Sequence, residues 1–352
     1  MAKVIGVTDK EDQKKLGSVW RWLAGTGAIA ALLIATAPMA KTLRHELPWA
    51  LHHFSPLWVL GCLMAQAGVY LCLSEILAVS LSALGYHSVP RQYLLTTGSA
   101  FLLANRAIPG PAVAGLAILV QRLKREQIPA EAGQTVAAAF FGSDYAGFIL
   151  LAVLALPFLA AGGHGGVLHP ALLLAGLTVI LLAASLLIVA YRVTGLLEKI
   201  AGGIGRLLAF LRCKPARANV WADKGKALVA SFRARIADLV TDPKRLLLVC
   251  GWALLMHVCE VATLALAVRA FGGDVAFSVA AAGYVAGNLG AIISFLPGGA
   301  GLYEGGMITA LHAVGGLPIA LSLAATLVYR LLTLWLPMPF ALIAVRHALR
   351  EK

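Results

Sequence analysis

Apolar stretches of about 20 residues recur along the chain, the length a helix needs to cross some ~30 Å of hydrocarbon. This recurrence decides the solvent. Hydrophobic residues make up 60% of the 352 and charged ones only 13%, with a mean hydropathy of +0.85, outside the range of soluble domains. Short alternating strands of the kind that build a membrane barrel are not visible. The expected fold is an all-α polytopic membrane protein.

Six full spans are expected at 22–40, 57–83, 132–160, 170–191, 246–269 and 318–345. Two further apolar stretches, 93–121 and 276–315, are interrupted by "AIPGPAVAG" and "FLPGGAGLYEGG". Proline removes a backbone donor and glycine frees the backbone, so each interruption ends a helix. Inside a bilayer the released polar groups must be satisfied by protein or by water in a cavity. Each stretch therefore reads as a pair of half-helices, either a re-entrant hairpin or a discontinuous crossing. "ATAPMAK" after the first run resembles a signal-peptidase site, but residues 1–19 carry acids as well as lysines and the run is long. It reads as a retained first helix.

The net charge of +13 sits in short loops and at the ends of apolar runs, a positive-inside pattern and not a nucleic-acid footprint. Basic segments at the N-terminus, 121–126, 192–245 and the C-terminal tail go to the cytoplasm, leaving Lys41 and Arg44 outside. Both termini are then cytoplasmic, and the two broken stretches enter from opposite sides. Four parts follow: 1–56 with the first span, a first membrane unit at 57–191 broken at 108–115, a linker at 192–245, and a second unit at 246–352 broken at 295–306. In the linker Leu196, Ile200, Ile204 and Leu208 share one face, as do Leu228, Phe232, Ile236 and Leu239, as expected of amphipathic helices on the membrane surface.

The two units look related. "CLSEILAVSLSALGYHSV" (72–89) aligns with "HVCEVATLALAVRAFGGDV" (257–275), setting Glu75 against Glu260 and, further on, Pro109 against Pro297. "AAAFFGSDYAG" (137–147) lies against "SLAATLVYRLL" (322–332) in the same alignment, which sets Asp144 opposite Arg330 within a couple of residues. Such an inverted repeat is the arrangement many transporters use to build a midplane site.

Charge inside the apolar stretches points to function: Glu75, Asp144, Glu260, Glu304 and Arg330. Each costs at least about 2.5–3.5 kcal/mol at the centre of an isolated helix and needs a partner or water. The bland role is helix-orienting ion pairs, for example Glu260 with Arg330. The functional role starts at the second break, where a half-helix restarting near Gly301 presents free N–H groups and a positive dipole end. Glu304 in its first turn caps that helix, or binds an amine or a proton. Arg330 offers a fork suited to phosphate, and Tyr303, Tyr329 and Asn288 could add hydrogen bonds. With the backbone of Pro297, Gly298, Gly299 and Gly301, and with Glu260, these form the candidate substrate-binding set; Asp144, Glu75 and Tyr329 are secondary candidates. The five cysteines have neither disulfide nor zinc spacing, and no P-loop or Ser-His-Asp constellation is visible. No metal or cofactor is called for.

The stretch "FLPGGAGLYEGGMITALHAVGGLPIALSLAATLVYRLLTLWLP" resembles the C-terminal region of the lysylphosphatidylglycerol synthase transmembrane-region family, flippase-like domains that include the membrane half of multiple peptide resistance factors. A Pro-Gly-Gly-x-Gly-x-x-Glu break followed by an arginine-bearing span is matched by Pro297, Gly298, Gly299, Gly301, Glu304 and Arg330. Where members resemble Pro-Gly-Arg-x-Gly-Glu at the first break, this chain has Pro109, Gly110, Pro111, Ala112, Val113 and Ala114; where they carry Glu-Arg before the aspartate, it has Phe140 and Phe141. The first half-site is accordingly expected to have lost its charges. The resemblance implies movement of a phospholipid or lipid-linked head group across the cytoplasmic (inner) membrane without ATP. Two other readings stand beside it: a non-catalytic membrane partner that presents lipid to, or regulates, a separate enzyme, and a membrane transferase using Asp144 or Glu304. Expected partners are the bilayer, a lipid, and a second copy of the chain or a separate enzyme, not nucleic acid.

Overall fold

The computed structural model describes His52 and residues 54–107, 113–161, 242–294 and 297–339. The spans expected at 22–40 and 170–191, the N-terminal segment, the linker helices before residue 242 and the tail beyond 339 lie outside the described residues. Within them the protein is helical, with no strand: α1 (Pro56–Ala83), α2 (Arg91–Ala107), α3 (Val113–Arg125), α4 (Ala130–Ala161), α5 (Pro243–Ala270), α6 (Phe277–Ile293), α7 (Leu302–Gly315) and α8 (Ile319–Arg330). A 3-10 turn, Pro297–Gly299, precedes α7, and one π-helical turn, Leu331–Trp335, continues α8.

Among the described residues, three helices are long and apolar enough to cross a bilayer: Pro56–Ala83, Ala130–Leu154 and Pro243–Ala270. Less than half of the most apolar window in each is buried by protein. The rest presents Leu57, Leu60, Met64, Leu71, Leu154, Leu247 and Leu248 outward, the pattern of helices solvated by lipid. The span expected at 318–345 begins on schedule, but its α-helix is only 12 residues long before the backbone widens.

α1 and α5 both begin with proline at the first turn, where the missing N–H costs nothing, and both run for 28 residues, about 42 Å at 1.5 Å per residue. The side chain of Asp242 caps α5, accepting from the N–H of Lys244 at 3.1 Å and Arg245 at 3.3 Å. The two helices lie antiparallel along their full length. Ser55 N–H donates to the carbonyl of Ala270 at one end, and Arg245 reaches the carbonyl of Ser82 at the other.

Each interrupted stretch folds back on itself. In α6–α7 the close approaches run 290 to 302, 287 to 303 and 286 to 306, an antiparallel hairpin. Backbones touch there: a Cβ on Gly290 would lie 2.2 Å from the carbonyl oxygen of Leu302, and one on Gly306 2.6 Å from that of Ala286. In α2–α3, Asn105 Oδ1 accepts from Gly115 N–H across the break, and Tyr93 donates to the carbonyl of Arg122 further along. In both stretches the two halves pack antiparallel against each other.

Among the described residues two large apolar cores result, beside a small cluster of Ala100, Ala104 and Ile118. One joins α1, α2, α3 and α4 to the start of α5 through Leu73, Phe101, Leu119, Phe140 and Met256. The other joins the rest of α5 to α6, α7 and α8 through Leu264, Tyr284, Met307, Leu311 and Tyr329. Along α1 the change from one core to the other comes between Cys62 and Val69, and along α5 between Met256 and Val261. A polar layer fills that seam.

Candidate functional site

At the second break the glycines are needed by the backbone. Gly298, Gly299 and Gly301 have φ of +63°, +73° and +85°, the left-handed region that side-chain-bearing residues avoid. A Cβ on Gly299 would also fall 2.8 Å from the Cα of Ala291. The chain turns sharply and restarts as α7, whose first N–H groups lack helical acceptors. Glu304 supplies one: its Oε2 accepts from Gly301 N–H at 2.6 Å. Its Oε1 receives Nε of Arg330 at 2.5 Å, while Nη2 of Arg330 donates to the carbonyl of Gly298 at 2.5 Å. The guanidinium lies 4.3 Å from the centroid of the Tyr303 ring. Both charged side chains are buried, Arg330 at 7% exposure and Glu304 at 9%. Cap and ion pair together hold the break to α8.

Glu260 is not paired with Arg330. Its Oε1 receives Nη2 of Arg106 at 2.5 Å, and its Oε2 accepts from the hydroxyl of Tyr329 at 2.8 Å and from Nε2 of Gln66 at 3.1 Å. The first half-site has therefore kept a charge. It sits on the last turn of α2, before the break and outside the motif positions that Pro111 to Ala114 had left neutral. Nη1 of Arg106 donates to the carbonyl of Thr333 at 3.1 Å. That carbonyl is available for a chemical reason: in a regular helix it would accept from residue 337, and Pro337 has no N–H. The helix widens into its π turn around it, with Leu336 N–H bonding back to Leu331.

Hydrogen bonds from Glu260 through Tyr329 to Tyr303, and the Arg330 guanidinium over the Tyr303 ring, join the two ion pairs. Tyr303 donates to Tyr329 at 3.3 Å, their rings stacked 6.3 Å apart, and Asn288 donates to Tyr303 at 3.4 Å and to the carbonyl of Tyr284 at 2.8 Å. The Tyr284 hydroxyl lies 2.8 Å from Nδ1 of His257, whose Nε2 lies 2.8 Å from the carbonyl of Asp144 and 3.3 Å from its carboxylate. A carbonyl only accepts, so Nε2 carries a hydrogen there. Asp144 thus meets α5.

Glu75 is elsewhere. It pairs with Arg91 at 3.1 Å on the corner between α1 and α2, lining an open recess of about 280 Å³ with Tyr86 and His87. The structure brings Glu260, Asn288, Tyr303, Glu304, Tyr329 and Arg330 together around the break, connects Asp144 through His257, and leaves Glu75 outside. The sequence reading missed Arg106, Gln66 and His257. Their signal was a polar residue inside an apolar run, and for Arg106 a cation one turn before a Pro-Gly break. Among the described residues no group of histidine, cysteine and acidic side chains is placed to hold a metal.

No curated protein matches the chain. The family model described as the lysylphosphatidylglycerol synthase TM region matches residues 22–341, nearly the whole length. The chain thus belongs to the lysylphosphatidylglycerol synthase transmembrane-region family.

Proposed function

We propose that the protein moves a phospholipid or lipid-linked head group across the cytoplasmic membrane without ATP, as an inverted repeat of two units, 57–191 and 246–352, rocking about a site near the midplane. The observation that carries this reading is the buried polar seam, in which an ion pair at each hairpin break, Arg106–Glu260 and Glu304–Arg330, is tied to the other through Tyr303 and Tyr329. Charges set so deep in an apolar bundle mark a substrate path by default. Matching helix lengths support the repeat: 28, 17 and 13 residues for α1 to α3 against 28, 17 and 14 for α5 to α7. The equivalent helices α1 and α5 run antiparallel, as inversion requires. With both termini cytoplasmic, the hairpins are re-entrant from opposite faces. Glu304 and Arg330 shape the second break and, with Glu260, Asn288, Tyr303 and Tyr329, line the path of the head group.

The test is transfer of a fluorescent phospholipid between leaflets of sealed proteoliposomes, read by reducing the outer-leaflet probe. Wild-type protein is expected to expose the inner-leaflet probe faster than protein-free vesicles do, and Glu260→Gln to slow it. A wild-type rate equal to the protein-free rate, with correctly folded protein, would refute translocation and leave the lipid-presenting partner.

A further inference from the structure

The two ion pairs are not equally open to a ligand. Nε and Nη2 of Arg330 are spent on Glu304 and the Gly298 carbonyl, its face is covered by Tyr303, and its side chain is 7% exposed. Arg106 also has two nitrogens in use, Nη2 on Glu260 and Nη1 on the Thr333 carbonyl, but it keeps 28% of its side-chain surface open, while its partner Glu260 is almost fully buried. Beside that pair lie polar atoms with no partner. Gln66 is 4% exposed; its Nε2 bonds Glu260 and Thr263, but its Oε1 is buried and accepts nothing. Tyr70, one turn along the same face of α1, has a buried hydroxyl without a partner. Buried polar groups are nearly always satisfied, so an unpaired acceptor and hydroxyl beside a part-open ion pair are what a ligand with both kinds of group would complete.

We propose that Arg106, Glu260, Gln66 and Tyr70 form the head-group subsite, and that it takes a zwitterion: a phosphate next to an ammonium that still carries N–H, as in phosphoethanolamine. The assignment rests on the lipid-handling reading above and names its site. Charge balance selects the zwitterion. A phosphate on Arg106 leaves Glu260 buried without its cation, so the arriving group must bring its own positive charge. An ammonium does so, and its N–H groups supply the donor that Gln66 Oε1 lacks. Tyr70 donates to the phosphate. A choline head group balances the charge but has no N–H, and an anionic glycerol head group has a donor but leaves surplus negative charge beside Glu260.

The full-length protein, reconstituted in vesicles of equal phosphatidylethanolamine, phosphatidylcholine and phosphatidylglycerol and then extracted in detergent, would be assayed for retained lipid by mass spectrometry. The ethanolamine lipid is expected to be enriched about tenfold over the other two, the size of one charge-assisted hydrogen bond in a buried site. Arg106→Gln with Glu260→Gln, which removes the pair without stranding either charge, should abolish the enrichment. Gln66→Met, chosen in case the double variant misfolds, should erase the distinction between ethanolamine and choline lipids alone. Enrichment of the glycerol lipid, equal retention of all three, or a preference surviving in these folded variants would overturn the proposal. Selective retention without faster leaflet transfer would sink translocation and leave this site standing; faster transfer without selective retention would do the reverse.

Discussion

The Glu304–Arg330 pair makes a prediction whose size follows from what each atom touches. Arg330→Met removes two hydrogen bonds and the stacking on Tyr303, and strands the Glu304 carboxylate with only Gly301 N–H for company. Breaking one side of a buried pair costs about 3–5 kcal/mol. Glu304→Gln keeps a carbonyl oxygen for the Gly301 cap and leaves Arg330 on the Gly298 carbonyl, so the loss is about 1–3 kcal/mol, the cost of one charged hydrogen bond. In the double variant no charge is stranded and the cap survives; the cost should return to about 2–3 kcal/mol, well short of the sum. The coupling energy, the two single losses less the double, is then about 3–4 kcal/mol. Reversible unfolding in mixed micelles with increasing SDS, followed by tryptophan fluorescence, measures all four corners of the cycle. Additivity within about 0.5 kcal/mol would refute the reasoning, because it would mean the two side chains do not depend on each other.

Two further outcomes follow from packing. Gly306→Ala should destabilise by about 1–3 kcal/mol, since its Cβ would meet the Ala286 backbone, whereas Gly305→Ala, with nothing within 4 Å, should be neutral or slightly stabilising; thermal unfolding midpoints of the pair check this, and equal shifts would contradict the hairpin contact. His257→Phe should lose about 1–3 kcal/mol by leaving the Asp144 carbonyl and the Tyr284 hydroxyl without their ring-nitrogen partners, with unchanged thermal stability as the contrary result.

Much of this architecture was legible because membrane helices are written in local terms. Length and apolarity alone located α1, α4 and α5 to within three residues of their observed ends, and proline with glycine located both breaks. The Pro297–Gly301 segment was legible for a further reason: three left-handed backbone angles leave few residue choices besides glycine. The partners of the charges were not legible. Arg106 and Glu260 stand 154 residues apart and meet only because α2 ends against the seam between α1 and α5. Alignment of the two units suggested that Glu75 should behave as Glu260 does, yet the turn after α1 brings Arg91 back to Glu75 and settles its charge locally. Pro337 could have revealed the free carbonyl of Thr333, but nothing in the sequence says which donor takes it.

Sequence separation also divides the work between the pairs. Glu304 and Arg330 belong to one stretch of chain, on α7 and α8, and their bond braces the second break from within. Arg106 comes from the first stretch and reaches both Glu260 and the π turn of the second. If the two halves move against each other as proposed, the first pair travels intact and only the second must part. Parting two charges in a low-dielectric interior without replacement costs several kcal/mol for each ion, enough to hold the halves together when no ligand is present. A head group bearing both charges would replace each partner as it leaves, and so lower the barrier only when substrate is in place. On this argument the seam holds ions because an apolar seam could slip without cargo.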